Sequence, residues 1–235
     1  MTVEGADVEQ YMSAHGIPKL DWTRDLSAVL FRDWGDRAWF FKDNQCVCVM
    51  MGQDKVVSGP GYIEDLWNAH AQTIYADGID AALTRLMDDA AFFFKGRHTA
   101  RVYMGADKLD YKGVIGDVWP AFKDTPMEDG IDAAFARHYN DLAWFFKGDK
   151  CLSTYMGSGK ISSPLDKIEQ YWPNLQGTVF ATKIDAALLR GEDDAVWLFS
   201  GELCVKLNMG SGKIMKGPAR ISEEWDSLAW LTRIM

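Results

Sequence analysis

The sequence predicts an all-β protein, a four-bladed β-propeller with about four strands per blade plus short helices, and three observations carry that prediction. A motif of small-residue strand, polar turn and consecutive aromatics occurs four times, anchored on Leu26, Ile79, Ile131 and Ile184. The anchors are spaced by 53, 52 and 53 residues (79 − 26, 131 − 79, 184 − 131). Agreement runs through each unit, to Met51-Gly52, Met104-Gly105, Met156-Gly157 and Met209-Gly210, then to Ile63, Ile115, Ile168 and Ile221, and to a closing Trp67, Trp119, Trp172 or Trp225. A fixed period of roughly 50 residues marks a repeat architecture.

Taken in order, residues 1–24 precede the repeats as an N-terminal extension. Its "GADVEQYMSAHG" has modest helical character, ended by Gly16-Ile17-Pro18, and a lid, a dimer arm and a strap are all open for it. The blades follow as 25–77, 78–129, 130–182 and 183–235. Within a blade, "IDAALTR" reads as the first strand, "DDAAFFFKG" as a turn and second strand, and "HTARVYMG" as a third. A fourth short strand or helix surrounds the Ile and Trp landmarks. Aromatic and β-branched residues bounded by Gly, Asp and Asn are strand chemistry, and the 3.6-residue periodicity of helical repeats is missing. Ala28, Ala81/Ala82, Ala133/Ala134 and Ala186/Ala187 leave room for four first strands to converge on a narrow tunnel. Phe40/Phe41, Phe93/Phe94, Phe145/Phe146 and Leu198/Phe199 then fill the wider wedges between blades, where aromatic burial contributes most per side chain.

With 48% hydrophobic and 25% charged residues in 235, the chain can bury one large repeat-built core. A formal charge of −9 gives no electrostatic footprint for nucleic acid or an anionic membrane, so neither is expected as a partner. No apolar run of about 18 residues occurs, and the start carries acids where a signal peptide needs a basic region; a cytoplasmic location is expected. Cys46, Cys151 and Cys204 fall at equivalent positions of three blades, with Cys48 two residues beyond the first. Equivalent positions lie far apart, so free, buried thiols in a reducing compartment are expected in preference to disulfides or a redox role.

The "DAA" strands followed by "FFKG" and closed by "WP" (Trp119-Pro120, Trp172-Pro173) resemble the hemopexin repeat, and the resemblance covers nearly the whole chain. It implies a single four-bladed hemopexin-type propeller. Relatives of this layout include plant seed albumins that bind small ligands and intracellular fungal hetero-Diels–Alderases. Two departures matter. Secreted members tie the first blade to the last with a disulfide, and no Cys lies near residue 25 or the C-terminus here. Serum hemopexin holds haem between two propellers, and this chain has one. The resemblance also implies that first-strand backbone groups bind a structural Na⁺ or Ca²⁺ in the tunnel, at Leu26-Ser27, Ile79-Asp80, Ile131-Asp132 and Ile184-Asp185. The metal candidates are thus Ser27, Asp80, Asp132 and Asp185, with water alone as the alternative occupant; no cofactor is required.

Every unit also carries an arginine, Arg32, Arg85, Arg137 or Arg190, followed four residues later by Asp36, Asp89, Asp141 or Asp194. Four guanidiniums can ring one tunnel mouth; the competing reading is a hairpin ion pair or carbonyl clamp copied by duplication. Between them lie the least repeated residues of the unit: "DWG", "LMD", "HYN" and "GED". Variation inside a fixed frame is where scaffolds place function. Trp34, Leu86, Met87, His138 and Tyr139 would form an asymmetric apolar cup beside the arginines, suited to an aromatic or terpenoid molecule with a carbonyl or carboxylate.

The sequence has no Walker loop, HExxH, G-x-S-x-G or zinc CxxC pair, and "MGSGKIS" and "MGSGKIM" read as turns. Two functions remain. The first is binding of a hydrophobic or amphipathic small molecule at the tunnel mouth. The second is a cofactor-free cyclase of the hetero-Diels–Alderase type, joining a quinone-methide-like diene to a terpene, which needs a shaped pocket and hydrogen-bond donors rather than nucleophiles or metals. A scaffold for protein partners, and an oligomer, are compatible with either.

Overall fold

The computed structural model describes residues 5–32, 36–137, 139–190 and 194–234. Helix α1 (Gly5–His15) precedes sixteen strands grouped in four antiparallel sheets of four, each a meander in sequence order. The first sheet is β1 (Ala28–Arg32), β2 (Arg37–Lys42), β3 (Gln45–Met50) and β4 (Lys55–Tyr62); the second is β5 (Ala81–Arg85), β6 (Ala90–Lys95), β7 (His98–Tyr103) and β8 (Lys108–Val114). The third is β9 (Ala133–Ala136), β10 (Leu142–Lys147), β11 (Lys150–Tyr155) and β12 (Ile161–Lys167), and the fourth β13 (Ala186–Arg190), β14 (Ala195–Ser200), β15 (Leu203–Asn208) and β16 (Ile214–Arg220). The first strands β1, β5, β9 and β13 touch their neighbours in cyclic order, closing a ring. The all-β four-bladed propeller is therefore the fold.

The repeated landmarks have repeated jobs. After the fourth strand, each Ile starts a one-turn helix: α2 (Ile63–Leu66), α3 (Ile115–Val118), α4 (Ile168–Tyr171) and α5 (Ile221–Glu224). The Ile N–H bonds back to the hairpin turn between second and third strands, at Asn44, Arg97, Asp149 and Glu202. The tryptophan that follows is the wedge between blades. Trp67 packs on Phe41 of its own blade and Phe93 of the next, and Trp119 likewise on Phe94 and Phe145. Trp225 touches Phe199 and, across the ring closure, Phe40 of blade 1.

The N-terminal extension is a strap. Val8, Met12, Ile17 and Trp22 are buried in one cluster with Trp225, Leu228 and Leu231 from the last blade and the C-terminal helix α6 (Asp226–Ile234). Gln45 donates to Pro18 O and Tyr62 to Gly16 O, docking the strap on blade 1. The Asp25 N–H donates to Gly201 O and the Trp22 N–H to Thr232 Oγ1, tying the start of the propeller to its end. No disulfide is needed for closure; all four cysteines are free and buried. Burial pushes the Cys48, Cys151 and Cys204 thiols up to about 12 and Cys46 also well above its ordinary value, which suppresses the reactive thiolate. Among the described residues no helix is long and apolar enough to cross a membrane.

Candidate functional site

At one end of the ring lie the hairpin tips between first and second strands. Asp36, Asp89, Asp141 and Asp194 all adopt left-handed backbone, with φ of 51°, 48°, 56° and 45°, a conformation that Asp tolerates at turns. This turns the carboxylate back onto its own blade. Asp36 Oδ2 accepts from Gly52 N–H at 2.6 Å, Asp89 Oδ2 from Gly105 at 2.8 Å and Asp141 Oδ2 from Gly157 at 2.7 Å. A Cβ on Gly52, Gly105 or Gly157 would sit 2.8, 2.6 or 2.7 Å from that oxygen, which explains the glycine at three of the four Met-Gly turns; on Gly210 it would lie 3.9 Å away.

The same carboxylates receive the arginines, but from the preceding blade. Arg85 of blade 2 forks onto Asp141 of blade 3 through Nε (2.7 Å) and Nη2 (2.9 Å). Arg137 of blade 3 reaches Asp194 of blade 4 (3.2 and 2.6 Å), and Arg190 of blade 4 closes the circle onto Asp36 of blade 1 (3.1 and 3.0 Å). Paired bonds of this kind are the strong, geometrically specific form of guanidinium recognition. The Arg85 guanidinium, through its hydrogen bonds, holds the Asp141 carboxyl below its ordinary value. The fourth clamp, Arg32 to Asp89, is not made among the described residues: Arg32 Nε and Asp89 Oδ1 are both buried without a hydrogen-bond partner. At that corner Asp88 instead accepts from Arg85 Nη1 at 3.1 Å and from Arg101, which also pairs with Asp110.

Of the cup residues, Met87 and Tyr139 are 69% and 65% exposed on neighbouring tips. Tyr139 lies over the Arg137 guanidinium at 4.8 Å and donates its hydroxyl to Asp194 Oδ1 at 2.9 Å. Trp34 and His138 fall outside the described residues. Below this mouth the axis is filled: Val29, Phe31, Leu83, Phe135, Leu188 and Leu189 leave, with their neighbours, a void of about 10 Å³, no larger than one water.

The opposite mouth holds the four predicted cation positions. Ser27, Asp80, Asp132 and Asp185, with Asp25, Leu26 and Lys183, line one recess of about 310 Å³. Their backbone N–H groups bond Phe41, Phe94, Phe146 and Phe199 carbonyls, which begins each sheet. Their side chains are spent locally. Asp80, Asp132 and Asp185 Oδ2 accept from Gly96, Gly148 and Gly201 N–H, and Ser27 Oγ donates to Phe41 O. Asp132 Oδ1 takes Lys147 Nζ at 2.7 Å and Asp185 Oδ1 takes Lys183 Nζ at 2.6 Å. Among the described residues no three His, Cys, Asp or Glu side chains are grouped to hold a metal, so an ion at this mouth would depend on the backbone groups that the resemblance implies. The lysine that sits inside this mouth was not singled out from sequence, although it breaks the repeat visibly: "KIDAA" stands where blades 2 and 3 have "GIDAA".

No family model matches the chain. It is 29% identical over 180 residues to Albumin-2 of Lathyrus sativus, covering 69% of this chain and 79% of that protein. Among solved structures it is similar to a plant lectin with two metal binding sites from Cicer arietinum, at 28% identity and TM-score 0.81, covering 87% of this chain and 96% of that one. A hemopexin fold protein from cow pea superposes with the same TM-score of 0.81 at 23% identity, over 88% of this chain and 97% of that one. The chain thus shares the hemopexin fold with the plant seed albumins, as its repeat implied.

Proposed function

We propose that this hemopexin-type propeller binds a small amphipathic molecule at the arginine mouth of its tunnel and performs no chemistry on it. The observation that carries the reading is the exposure of Met87 and Tyr139 on two tips that the Arg85–Asp141 clamp locks side by side. Met87 and Tyr139 give a rim otherwise built from ion pairs an apolar and an aromatic face for a ligand to cover. The filled axis keeps a ligand on the rim, its apolar part against Met87 and the free face of Tyr139, its polar part within reach of Arg137 and Asp194. A binding role is also the kind of role carried by the chickpea lectin among its structural neighbours. Ring-forming catalysis would instead need guanidiniums free to polarise a carbonyl in a walled pocket, and Arg85, Arg137 and Arg190 are engaged with carboxylates; this favours binding.

Tryptophan fluorescence titrated with haem, a terpenoid carboxylic acid and a polyamine tests the reading. A saturable change with one of them is expected, and the double variant Met87→Ser, Tyr139→Ala should weaken it about tenfold or more, as loss of interface anchors does. Both side chains are exposed, so the variant keeps its fold. Unchanged affinity in the variant, or no saturable response to any of the three, removes the proposal.

A further inference from the structure

Each blade brings one ammonium to the aspartate mouth, but one blade brings it from a different position. Lys42, Lys95 and Lys147 end the second strand of blades 1 to 3, opposite Gln45, His98 and Lys150. Lys42 Nζ donates to Arg24 O and Asp25 O at 2.7 and 3.2 Å, Lys95 Nζ to Gly78 O at 3.0 Å, and Lys147 Nζ to Asp132. In blade 4 the equivalent residue, opposite Leu203, is Ser200. The lysine of that blade is Lys183, where blades 2 and 3 carry Gly78 and Gly130.

The two positions lie close in space. Gly78 and Gly130 have φ of 129° and 147°, and a Cβ on either would lie 3.3 or 3.4 Å from the strand-end Lys95 or Lys147 Nζ. Blade 1 carries both Asp25 and Lys42, so the two positions do not exclude each other; blade 4 alone pairs a lysine at the first, Lys183, with a small residue at the second, Ser200. The route of the chain differs too: the Lys183 N–H closes onto Val179 O after a short helical turn over Val179–Ala181. The exchange moves the ammonium inward. Lys183 lines the recess together with Asp25, Asp80, Asp132 and Asp185, whereas Lys42, Lys95 and Lys147 do not. The Asp185 hydrogen bond, and after it the Asp185, Asp132 and Asp25 charges, hold the Lys183 ammonium above its ordinary pKa.

We propose that Lys183 is a tethered cation, whose ammonium acts as the counter-ion of the aspartate mouth and keeps a free cation out of the recess. Without it, four carboxylates would face the recess with their charge less compensated, a surface suited to a hard cation or a small ammonium ion. The full-length chain and its Lys183→Met variant, which keeps the aliphatic stem, test this by calorimetric titration with CaCl₂ and with methylammonium chloride, at ionic strength held constant with choline chloride. The native chain should give no saturable heat with either. The variant should gain a saturable site, with an apparent affinity about tenfold or more above any native value, and its melting temperature should rise on adding the cation it binds. Lys183→Gly, which restores the residue of blades 2 and 3, should behave alike; the Lys183 side chain is 61% exposed, so neither change opens the core. Equal binding by native and variant chains, or no gain of binding in either variant, overturns the proposal.

Discussion

At the seam between blades 4 and 1 the repeat's own clamp is complete and contacts from outside the repeat are added to it, whereas the seam between blades 1 and 2 relies on the repeat and lacks one of its parts. The first has the Arg190–Asp36 clamp, the Asp25–Gly201 backbone bond, Ser227 bonded to Asp54, and the strap cluster around Trp22. The second has Thr84 bonded to Phe31 O, Asp107 capping the Asn68 and Ala69 N–H groups, and an aromatic box of Phe41, Trp67, Phe93 and His70, but no Arg32–Asp89 clamp. A ring has no natural weak point until its ends are considered. Here the cut in the chain is heavily reinforced, and the weaker chemistry lies one seam further on.

The strap is where the comparison breaks most readily. Trp22 is fully buried among Val8, Met12, Leu228 and their neighbours, and it ties the extension to α6. Trp22→Ala should cost about 3–5 kcal/mol, the usual range for emptying a buried aromatic site, as read by urea denaturation. A cost below about 1 kcal/mol would mean that the closing seam does not depend on the strap.

Acid should attack the other seam. His70 is wholly buried, its two ring nitrogens have no hydrogen-bond partner, and its ring packs edge-on to Phe93 at 4.3 Å. Desolvation lowers its pKa to about 4 from an ordinary 6.5, with Asp107 opposing. The folded state therefore binds this proton less readily than the unfolded chain. The stability tied to neutral His70 is present in full above pH 6.5 and is lost as pH falls towards 4, by about 3 kcal/mol at the end of that window. Across this range the denaturation midpoint of the native chain should fall relative to that of His70→Phe as pH is lowered. Parallel curves would show that His70 is protonated or solvated in the fold.

What the sequence made legible was whatever the repeat states four times: the first three strands of each blade, the aromatic wedges and the Met-Gly turns; the fourth strand, which precedes the Ile landmark, and the Val, Phe and Leu side chains that fill the axis beside the alanines were not. The arginine ring was legible as a set of residues but not as a set of pairs. Arg and Asp four positions apart read as partners within one hairpin, yet the left-handed aspartate presents its carboxylate to the neighbouring blade, and only ring closure makes that neighbour visible. The strap was legible as one of three possibilities, but its docking was not, since Val8, Met12 and Trp22 have no repeat mates and their partners in α6 lie some 200 residues away. Lys183 stood in plain view as an exception, but its meaning required knowing which side of the first strand faces the axis.

The smallest expected effect sharpens the comparison most. Arg190→Ala removes a paired guanidinium and strips Asp36 of its interblade partner, which should cost about 1–3 kcal/mol, the scale of charge-assisted hydrogen bonds. Arg32→Ala removes a guanidinium whose Nε makes no hydrogen bond, and should change stability by less than about 0.5 kcal/mol. A double-mutant cycle of Arg190 with Asp36 should then return a coupling energy that the Arg32 and Asp89 cycle lacks. The contrast matters because the four arginines are indistinguishable in the repeat. If Arg32→Ala costs as much as Arg190→Ala, and its cycle with Asp89 shows coupling, the fourth clamp closes in solution and the ring is held evenly; if not, duplication copied the residues at this corner while the Asp88–Arg101 network took over the load.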